Sequence, residues 1–310
     1  MANLKGRSLI SMADLTQDEV EKVLSLALDL KQQRRRGLAH PWLQGRVVAM
    51  IFEKPSTRTR ISFEAGVMQL GGQAILLSSR DMQIGRGETV ADTARVLSRF
   101  VDAVMARTFA HETLTELARW GSIPVINGLS DLEHPCQALG DLLTLQEHFG
   151  RLEGLKLAYL GDGNNVANSL LLAAAIAGLD CAVAHPPGYA PDEAIAARAA
   201  EIAAARGRSA CVTQDPQEAL HQADAVYTDV WTSMGQEGEE EARRSVFAPY
   251  QVNEQAMARA RPDAVFMHCL PAHRGEEVST AVMDGAQSIV FDQTENRLHV
   301  QKAVMALVVP

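Results

Sequence analysis

No run of eighteen apolar residues occurs in this 310-residue sequence, which excludes a membrane-spanning helix. Its opening stretch, Met1 to Ile10, carries no apolar leader and no cleavage signal, so a cytoplasmic location is expected. No C-x-x-C pair is present. The four cysteines, Cys136, Cys181, Cys211 and Cys269, are scattered and are expected to remain thiols. Basic residues are in deficit, 29 Lys and Arg against 38 Asp and Glu, for a formal net charge of −9. That argues against nucleic acid or an anionic membrane as the main partner. Low-complexity linkers and internal repeats are also missing. What remains is an ordinary globular composition at a length that suits two domains.

The apolar residues fall into short runs that alternate with helical patterns. A first helix over Leu15 to Arg36 opens on the capping box Thr16-Gln17-Asp18-Glu19. Strands are expected at Val47–Phe52, Ala74–Leu77, Ala103–Ala106 and Val125–Ile126, with helices at Ile61–Leu70, Thr89–Phe100 and Glu112–Trp120. A long helix from His134 to Phe149 ends at Gly150. A second series follows, with strands at Leu155–Leu160, Cys181–Ala184, Ala210–Thr213, Ala225–Tyr227, Ala264–Met267 and Ile289–Phe291. The expected fold class is α/β: two similar-sized domains, each a mostly parallel sheet flanked by helices. The boundary is placed near residue 150, giving 1–150 and 151–310, with a last helix over about 295–308 expected to pack back on the first domain. The acidic run at 237–241 reads as a solvated loop.

In open α/β sheets, ligands bind beyond the carboxyl ends of the strands. Between the first strand and the helix after it stands Lys54-Pro55-Ser56-Thr57-Arg58-Thr59-Arg60. Such a joint offers free backbone N–H groups and the positive end of a helix dipole, here with hydroxyls and two guanidiniums added. That is an anion site, with phosphate the expected anion. The plainer reading is Ser56 as an N-cap followed by solvated arginines. Other strand ends carry Arg107-Thr108, His134-Pro135-Cys136-Gln137, Gly161-Asp162-Gly163-Asn164-Asn165, Asp229-Val230-Trp231-Thr232-Ser233-Met234-Gly235 and His268-Cys269-Leu270-Pro271. Polar residues at the same end of both sheets imply a cleft between an anion-binding domain and one for a co-substrate.

Each motif has a competing reading. Arg107 alone could form a surface salt bridge, and His134 alone could orient a helix terminus. His134 with Cys136, or His268 with Cys269, could suggest zinc, but the spacing does not suit a ligand pair and no further ligand stands nearby. Gly161-Asp162-Gly163 invites a dinucleotide reading, yet Val166 occupies the third glycine position and no acidic residue closes the next strand. A tight turn exposing Asn164 and Asn165 is expected instead. Cys269 could be a nucleophile or, more plainly, a buried thiol.

Taken in order, these motifs resemble the aspartate/ornithine carbamoyltransferase family along the whole chain. Ser56-Thr57-Arg58-Thr59-Arg60 is similar to its carbamoyl phosphate segment, and the motifs beginning at His134, Gly161, Asp229 and His268 are similar to the ornithine branch. No lysine occurs in residues 78–87, where the aspartate branch carries a catalytic one. The resemblance implies the reaction of carbamoyl phosphate with L-ornithine to give L-citrulline and phosphate. It implies a homotrimer, or a multiple of trimers, with active sites between subunits.

By the same resemblance, Ser56, Thr57, Arg58 and Thr59 hold the phosphate and Arg107 bridges phosphate and carbonyl oxygen. His134 donates to that oxygen, and Gln137 binds the carbamoyl amino group. Gln83, reaching from a neighbouring subunit, together with Cys269, Leu270 and Arg297, also contacts carbamoyl phosphate. Asn165, Asp229, Ser233 and Met234 hold the α-amino and α-carboxylate groups of ornithine, under a loop expected to close over it. Arg107, His134, Asp229 and Cys269 are the expected catalytic residues. No metal or organic cofactor is implied, because the leaving group is already activated. The amine must be neutral to attack, at a cost of roughly 4–5 kcal/mol near pH 7. Asp229, Cys269 or the leaving phosphate could take its proton. Gly140, where many relatives have alanine, is expected not to touch the chemistry.

Three rival readings stand beside this one. The acceptor could be N-acetylornithine, putrescine or aspartate; the second half could serve a nucleotide-dependent oxidoreductase; or the chain could bind anions without catalysis.

Overall fold

The computed structural model describes residues 3–78, 82, 87–232, 238 and 240–310. They form two units, one of Met1–Leu143 with Glu295–Pro310, the other of Thr144–Thr294. In the first, a parallel sheet of β1 (Val47–Phe52), β2 (Gln73–Ser78), β3 (Ala103–Arg107) and β4 (Val125–Leu129) has the order β2-β1-β3-β4. Its helices are α1 (Gln17–Arg35), α2 (Thr57–Gln69), α3 (Val90–Phe100) and α4 (His111–Trp120). The long helix α5 (Pro135–Phe149) runs across the boundary.

The second unit holds a five-stranded parallel sheet, ordered β7-β6-β5-β8-β9. Its strands are β5 (Lys156–Leu160), β6 (Asp180–Ala184), β7 (Ala210–Thr213), β8 (Ala225–Thr228) and β9 (Val265–His268). Among the helices are α6 (Asn165–Ala177), α7 (Glu193–Ala205), α8 (Pro216–Leu220) and α9 (Glu240–Phe247). Two short ones follow, α10 (Glu254–Met257) and α11 (Thr280–Met283), before α12 (Val290–Val308). No described helix is long and apolar enough to cross a membrane.

Both strand series follow from composition. Strands sandwiched between helices are apolar on both faces, which is why they read as unbroken apolar runs. Val48, Ala49 and Met50 of β1 and Phe266 and Met267 of β9 are fully buried. Each large apolar side chain so buried contributes roughly 1.5–3 kcal/mol. The edge strand β2 differs, leaving Ile75 and Leu76 exposed. Helix α6 is buried from Val166 to Ile176, which explains why its sequence shows no polar face.

Two expected elements are corrected. Ile289–Phe291 is not a strand: Ile289 makes one bridge-like contact, its N–H donating to the Phe266 carbonyl at 3.0 Å, and Val290 begins α12. The burial pattern shows why, since Val290, Gln293, Asn296, Arg297, Val300 and Gln301 are buried at helical spacing while Phe291 faces out. The acidic run is not all loop either. Glu240 and Glu241 form the first turn of α9, where carboxylates complement the positive helix end.

Helix α12 carries a cation into the core of the first unit. Lys302 is fully buried, and its Nζ donates to His40 Nε2 at 2.7 Å and to Gln69 Oε1 at 3.1 Å. The ring of His40 accepts there because its Nδ1–H donates to the Leu38 carbonyl at 2.9 Å. Burial, and after it the Arg34 guanidinium, lower the Lys302 pKa to about 8. A lysine in the unfolded chain titrates near 10.4. The folded value is the lower one, so stability from this group is fully present above the unfolded pKa and is lost as pH falls through the folded one. Stability is therefore expected to climb between those two values, by up to about 1.4 kcal/mol per pH unit. Denaturant unfolding of wild type and Lys302→Met at about pH 7 and about pH 10 checks this. An unchanged pH slope in the variant would assign the effect elsewhere.

Candidate active site

The anion site is built on the first turn of α2. Ser56 is the N-cap, in extended backbone, and its Oγ accepts the Thr59 N–H at 3.2 Å. The sequence reading placed Thr57, Arg58, Thr59 and Arg60 in a loop; they are the first turn of the helix. The change strengthens the site, because first-turn N–H groups have no intrahelical acceptor and lie at the positive end of the dipole. Thr59 is buried, Ser56 and Arg58 are half-buried, and Thr57 and Arg60 are exposed.

Three further side chains of the same unit converge there. Arg107 ends β3 at a register shift between Ala106 and Arg107, and its carbonyl accepts the Glu53 N–H at 2.9 Å. Arg297, on α12, donates from Nη2 to the Thr59 hydroxyl at 3.1 Å. His134 precedes α5 and is buried. Its burial, then Arg297, then Arg107, hold the imidazole pKa well below the ordinary value. The ring is neutral at pH 7, with one N–H to donate and no charge of its own. Gln137 lies buried in the first turn of α5. Its Nε2 donates to Asp141 at 2.8 Å, while its Oε1 meets no donor among the described residues. Lys54 adds a cation 4.4 Å from the Phe109 ring centroid; burial and then Arg107 lower its pKa.

Gly140 packs against the Arg297 side chain. A Cβ there would lie 3.2 Å from Arg297 Cγ, so the bare glycine lets α12 lie against α5 at the arginine. Cys136 belongs to the core: its thiol is buried and pushed up to about 12. Among the described residues, neither His134 nor Cys136 belongs to a group of three ligand-type side chains close enough to hold a metal ion.

In the second unit the polar strand ends form another cluster. Asp229, just past β8, is buried. Its Oδ2 accepts from Asn164 Nδ2 at 2.8 Å, and its Oδ1 accepts from the Cys269 thiol and from the Val230 N–H, at 2.9 and 2.8 Å. No Lys or Arg of the described residues pairs with it. A buried carboxylate supplied only with neutral donors is suited to receive a cation. Cys269 donates its hydrogen to Asp229, a geometry in which the sulfur is a thiol.

The glycines before Asn164 serve backbone approach. Gly161 has φ +140°, and a Cβ at Gly163 would fall 2.1 Å from the Pro191 nitrogen. Asn164 then caps α6 through the Val166 and Ala167 N–H groups, at 2.9 and 3.2 Å, and Asn165 opens the helix half-buried.

His268, Cys269 and Asp229 place ligand-type atoms within 4.8 Å of one another. Both His268 nitrogens are engaged, however: Nδ1 accepts the Leu270 N–H at 2.9 Å and Nε2 donates to the buried Glu277 at 3.2 Å. The imidazole is thus a brace for the following turn, in which Leu270 takes a left-handed φ of +60° ahead of a cis Pro271. Gln293 completes the brace, accepting the His268 N–H at 2.9 Å and donating to the Tyr227 hydroxyl at 3.0 Å.

The structure thus gathers Ser56, Thr57, Arg58, Thr59, Arg107, His134, Gln137 and Arg297 in one unit, and Asn165, Asp229, Cys269 and Leu270 in the other. Gln83, Ser233 and Met234 lie outside the described residues. Sequence reasoning missed the roles of Asn164, Lys54, Glu277 and Gly140. Of these only Asn164 carried a usable local signal, an N-cap residue before a helical pattern.

The carbamoyl-P binding domain model of the aspartate/ornithine carbamoyltransferases matches residues 7–147, and their Asp/Orn binding domain model matches residues 153–308. An ornithine carbamoyltransferase of Anoxybacillus flavithermus is 59% identical over 302 residues, which are 97% of this chain and 96% of that protein. One from Symbiobacterium thermophilum is 57% identical over 99% of both chains. The solved ornithine carbamoyltransferase of Pyrococcus furiosus superposes with a TM-score of 0.97 at 52% identity, covering 100% of this chain and 99% of that one. With both domain models matched in order along a chain whose strand ends carry this anion site and this buried carboxylate, the protein belongs to the aspartate/ornithine carbamoyltransferase family.

Proposed function

We propose that this protein transfers the carbamoyl group of carbamoyl phosphate to the side-chain amine of L-ornithine, giving L-citrulline and phosphate. One observation carries the reading: a cation-lined strand-end site in the first unit accompanies, in the second, a buried Asp229 whose described partners are all neutral. The first suits a dianion and the second an ammonium group.

In this reading, the first turn of α2, with Ser56, Thr57, Arg58 and Thr59, holds the phosphate. Arg297 and Gln83 add contacts to it. Gln137 fixes the plane of the carbamoyl group through its amino end. The neutral amine attacks the carbonyl carbon, a C–N bond forms, and negative charge collects on the carbonyl oxygen. Arg107 and neutral His134 donate to that oxygen, where preorganised donors act most strongly. The C–O bond to phosphate then breaks, phosphate leaves with the electron pair, and the nitrogen gives up its proton to Asp229, Cys269 or the departing phosphate. Asn165, Asp229, Ser233 and Met234 hold the α-amino and α-carboxylate groups, Asp229 and Cys269 lie beside the reacting amine, and Cys269 and Leu270 also contact carbamoyl phosphate.

The assembly is a homotrimer or a multiple of it, a reading supported by the exposed Ile75 and Leu76 of the edge strand β2. The protein works in the cytoplasm, where its four cysteines, none of them in a disulfide, remain thiols.

The test offers the purified protein carbamoyl phosphate with, in parallel, L-ornithine, N-acetyl-L-ornithine, putrescine or L-aspartate, and measures ureido product and phosphate. Citrulline from ornithine, at a rate at least about a hundredfold above the other acceptors, is expected. Preference for N-acetylornithine or putrescine would overturn the role of Asp229 and leave the anion site standing. No ureido product from any acceptor would overturn the reaction itself.

A further inference from the structure

Helix α9 contains two consecutive arginines with opposite fates. Arg244 behaves as an acidic segment predicts: half its side chain is in water, and it pairs with Glu240 at 3.3 Å and Glu276 at 2.6 Å. Arg243 is 3% exposed. Its Nε donates to the Trp231 carbonyl at 2.6 Å and its Nη2 to an Asp162 carboxylate oxygen. Its guanidinium carbon lies 4.6 Å from the Tyr189 ring centroid and 5.1 Å from that of Phe247, and those two rings pack edge to face.

Taking a guanidinium out of water costs several kcal/mol, and packed apolar residues often replace a buried ion pair without loss of stability. Stability alone therefore does not call for an arginine here. Two consequences of the pair are specific to it. The first is mechanical: Asp162 lies in the turn after β5, which leads to Asn164, and Trp231 lies in the turn after β8, which carries Asp229. Arg243 bonds to both turns and stacks against Tyr189, from another segment, and against Phe247 of its own helix.

The second consequence is electrostatic. Asp162 and Asp229 act on the same neighbourhood: after burial, the charges of Asp229 and then Asp162 are the largest causes that raise the Tyr159 hydroxyl pKa. Arg243 balances Asp162. Asp229 receives only the Asn164 amide, the Cys269 thiol and a backbone N–H from the described residues.

We propose that Arg243 is a positioning residue for the amine half of the site. By joining Asp162 to the Trp231 carbonyl it fixes the turn that bears Asp229, and it leaves Asp229, of those two aspartates, as the charge open to a substrate ammonium. The inference rests on the ornithine reading above.

The experiment compares wild type with R243M, R243K, D162N and the R243M/D162N double variant, measuring both KM values, kcat and thermal unfolding. Arg243→Met is expected to raise the ornithine KM about tenfold or more and to leave the carbamoyl phosphate KM within about twofold. Adding Asp162→Asn is expected to recover at least about threefold of that loss, because the orphaned carboxylate is gone. Arg243→Lys keeps the charge without the planar fork and is expected to fall between wild type and R243M.

A purely structural arginine would lower thermal stability and move both KM values together, and the second substitution would recover nothing. That outcome overturns the proposal. If R243M does not fold, D162N and R243K decide: an ornithine KM unchanged in both overturns it equally. Failure of the functional reading looks different, since wild type itself would then make no citrulline from ornithine.

Discussion

Replacing Arg107 by Met is expected to lower kcat by roughly 10²–10³, the loss found when one donor to a developing oxyanion is removed. Because the same guanidinium serves the phosphate in this reading, the carbamoyl phosphate KM is expected to rise as well. Arg107 is 8% exposed, so water has little access to take its place. Its charge also reaches His134 and Lys54, lowering the pKa of each. In the variant both are therefore expected to protonate more readily, and the acid limb of the kcat profile should move to higher pH. Arg60→Ala serves as the control. That arginine is exposed and meets only Glu64 at 3.5 Å, a surface pair of small energetic weight. Initial rates across pH for both variants check the prediction. A kcat within about threefold of wild type in the Arg107 variant would remove it from the chemistry.

Asp229→Asn is the second large effect. The substitution keeps shape and removes one buried negative charge. Losing one partner of a desolvated, hydrogen-bonded charge pair costs about 2–5 kcal/mol, so the ornithine KM is expected to rise by roughly 10²–10³. The carbamoyl phosphate KM should stay near wild type, because that substrate is bound by the other unit in this reading. Folding should respond in the opposite sense. Without ornithine, Asp229 is a buried carboxylate whose described partners are neutral groups, a costly arrangement, and thermal stability is expected to hold or rise when the charge is removed. Paired kinetic and thermal measurements on one preparation test both halves. An ornithine KM within about threefold of wild type would show that Asp229 is not the partner of the substrate cation.

What could be read from the sequence follows from how local each feature is. The strand β1 ends where its apolar run ends, since a strand covered on both faces excludes polar residues. Ile289–Phe291 misled because three apolar residues fit a strand and a helix start equally well; only the burial rhythm continuing to Gln301 separates them. Ser56 to Arg60 stood out in the sequence as a candidate anion site, from its hydroxyls and guanidiniums and its place between a strand and a helix. That it forms a helical turn was not legible, because the N-cap, Ser56, lies five residues ahead of Ile61, where the apolar pattern that marked the helix begins. Arg243 was beyond reach. Its surroundings, Asp162, Tyr189 and Trp231, lie far from it in sequence, and nothing in an acidic helix distinguishes an arginine turned inward from one turned out. The packing of Gly140 was out of reach for the same reason: its neighbour is Arg297, and no local rule connects those two positions.

The division of the chain has a consequence for the order in which the protein can be made. Thr144–Thr294 is contiguous, so that unit has all its residues as soon as synthesis passes them. The unit with the anion site is not contiguous: it needs Glu295–Pro310, which bring Arg297 against Thr59 and Lys302 against His40 and Gln69. The segment made first must therefore wait, with part of its core unfilled, until the whole of the other unit has been translated. Closing contacts across so long a loop is slow, and an unfilled core is exposed in the meantime. The anion site is thus the last part of the molecule to come into existence, and a chain interrupted before Glu295 would carry the amine half of the site without a complete partner half.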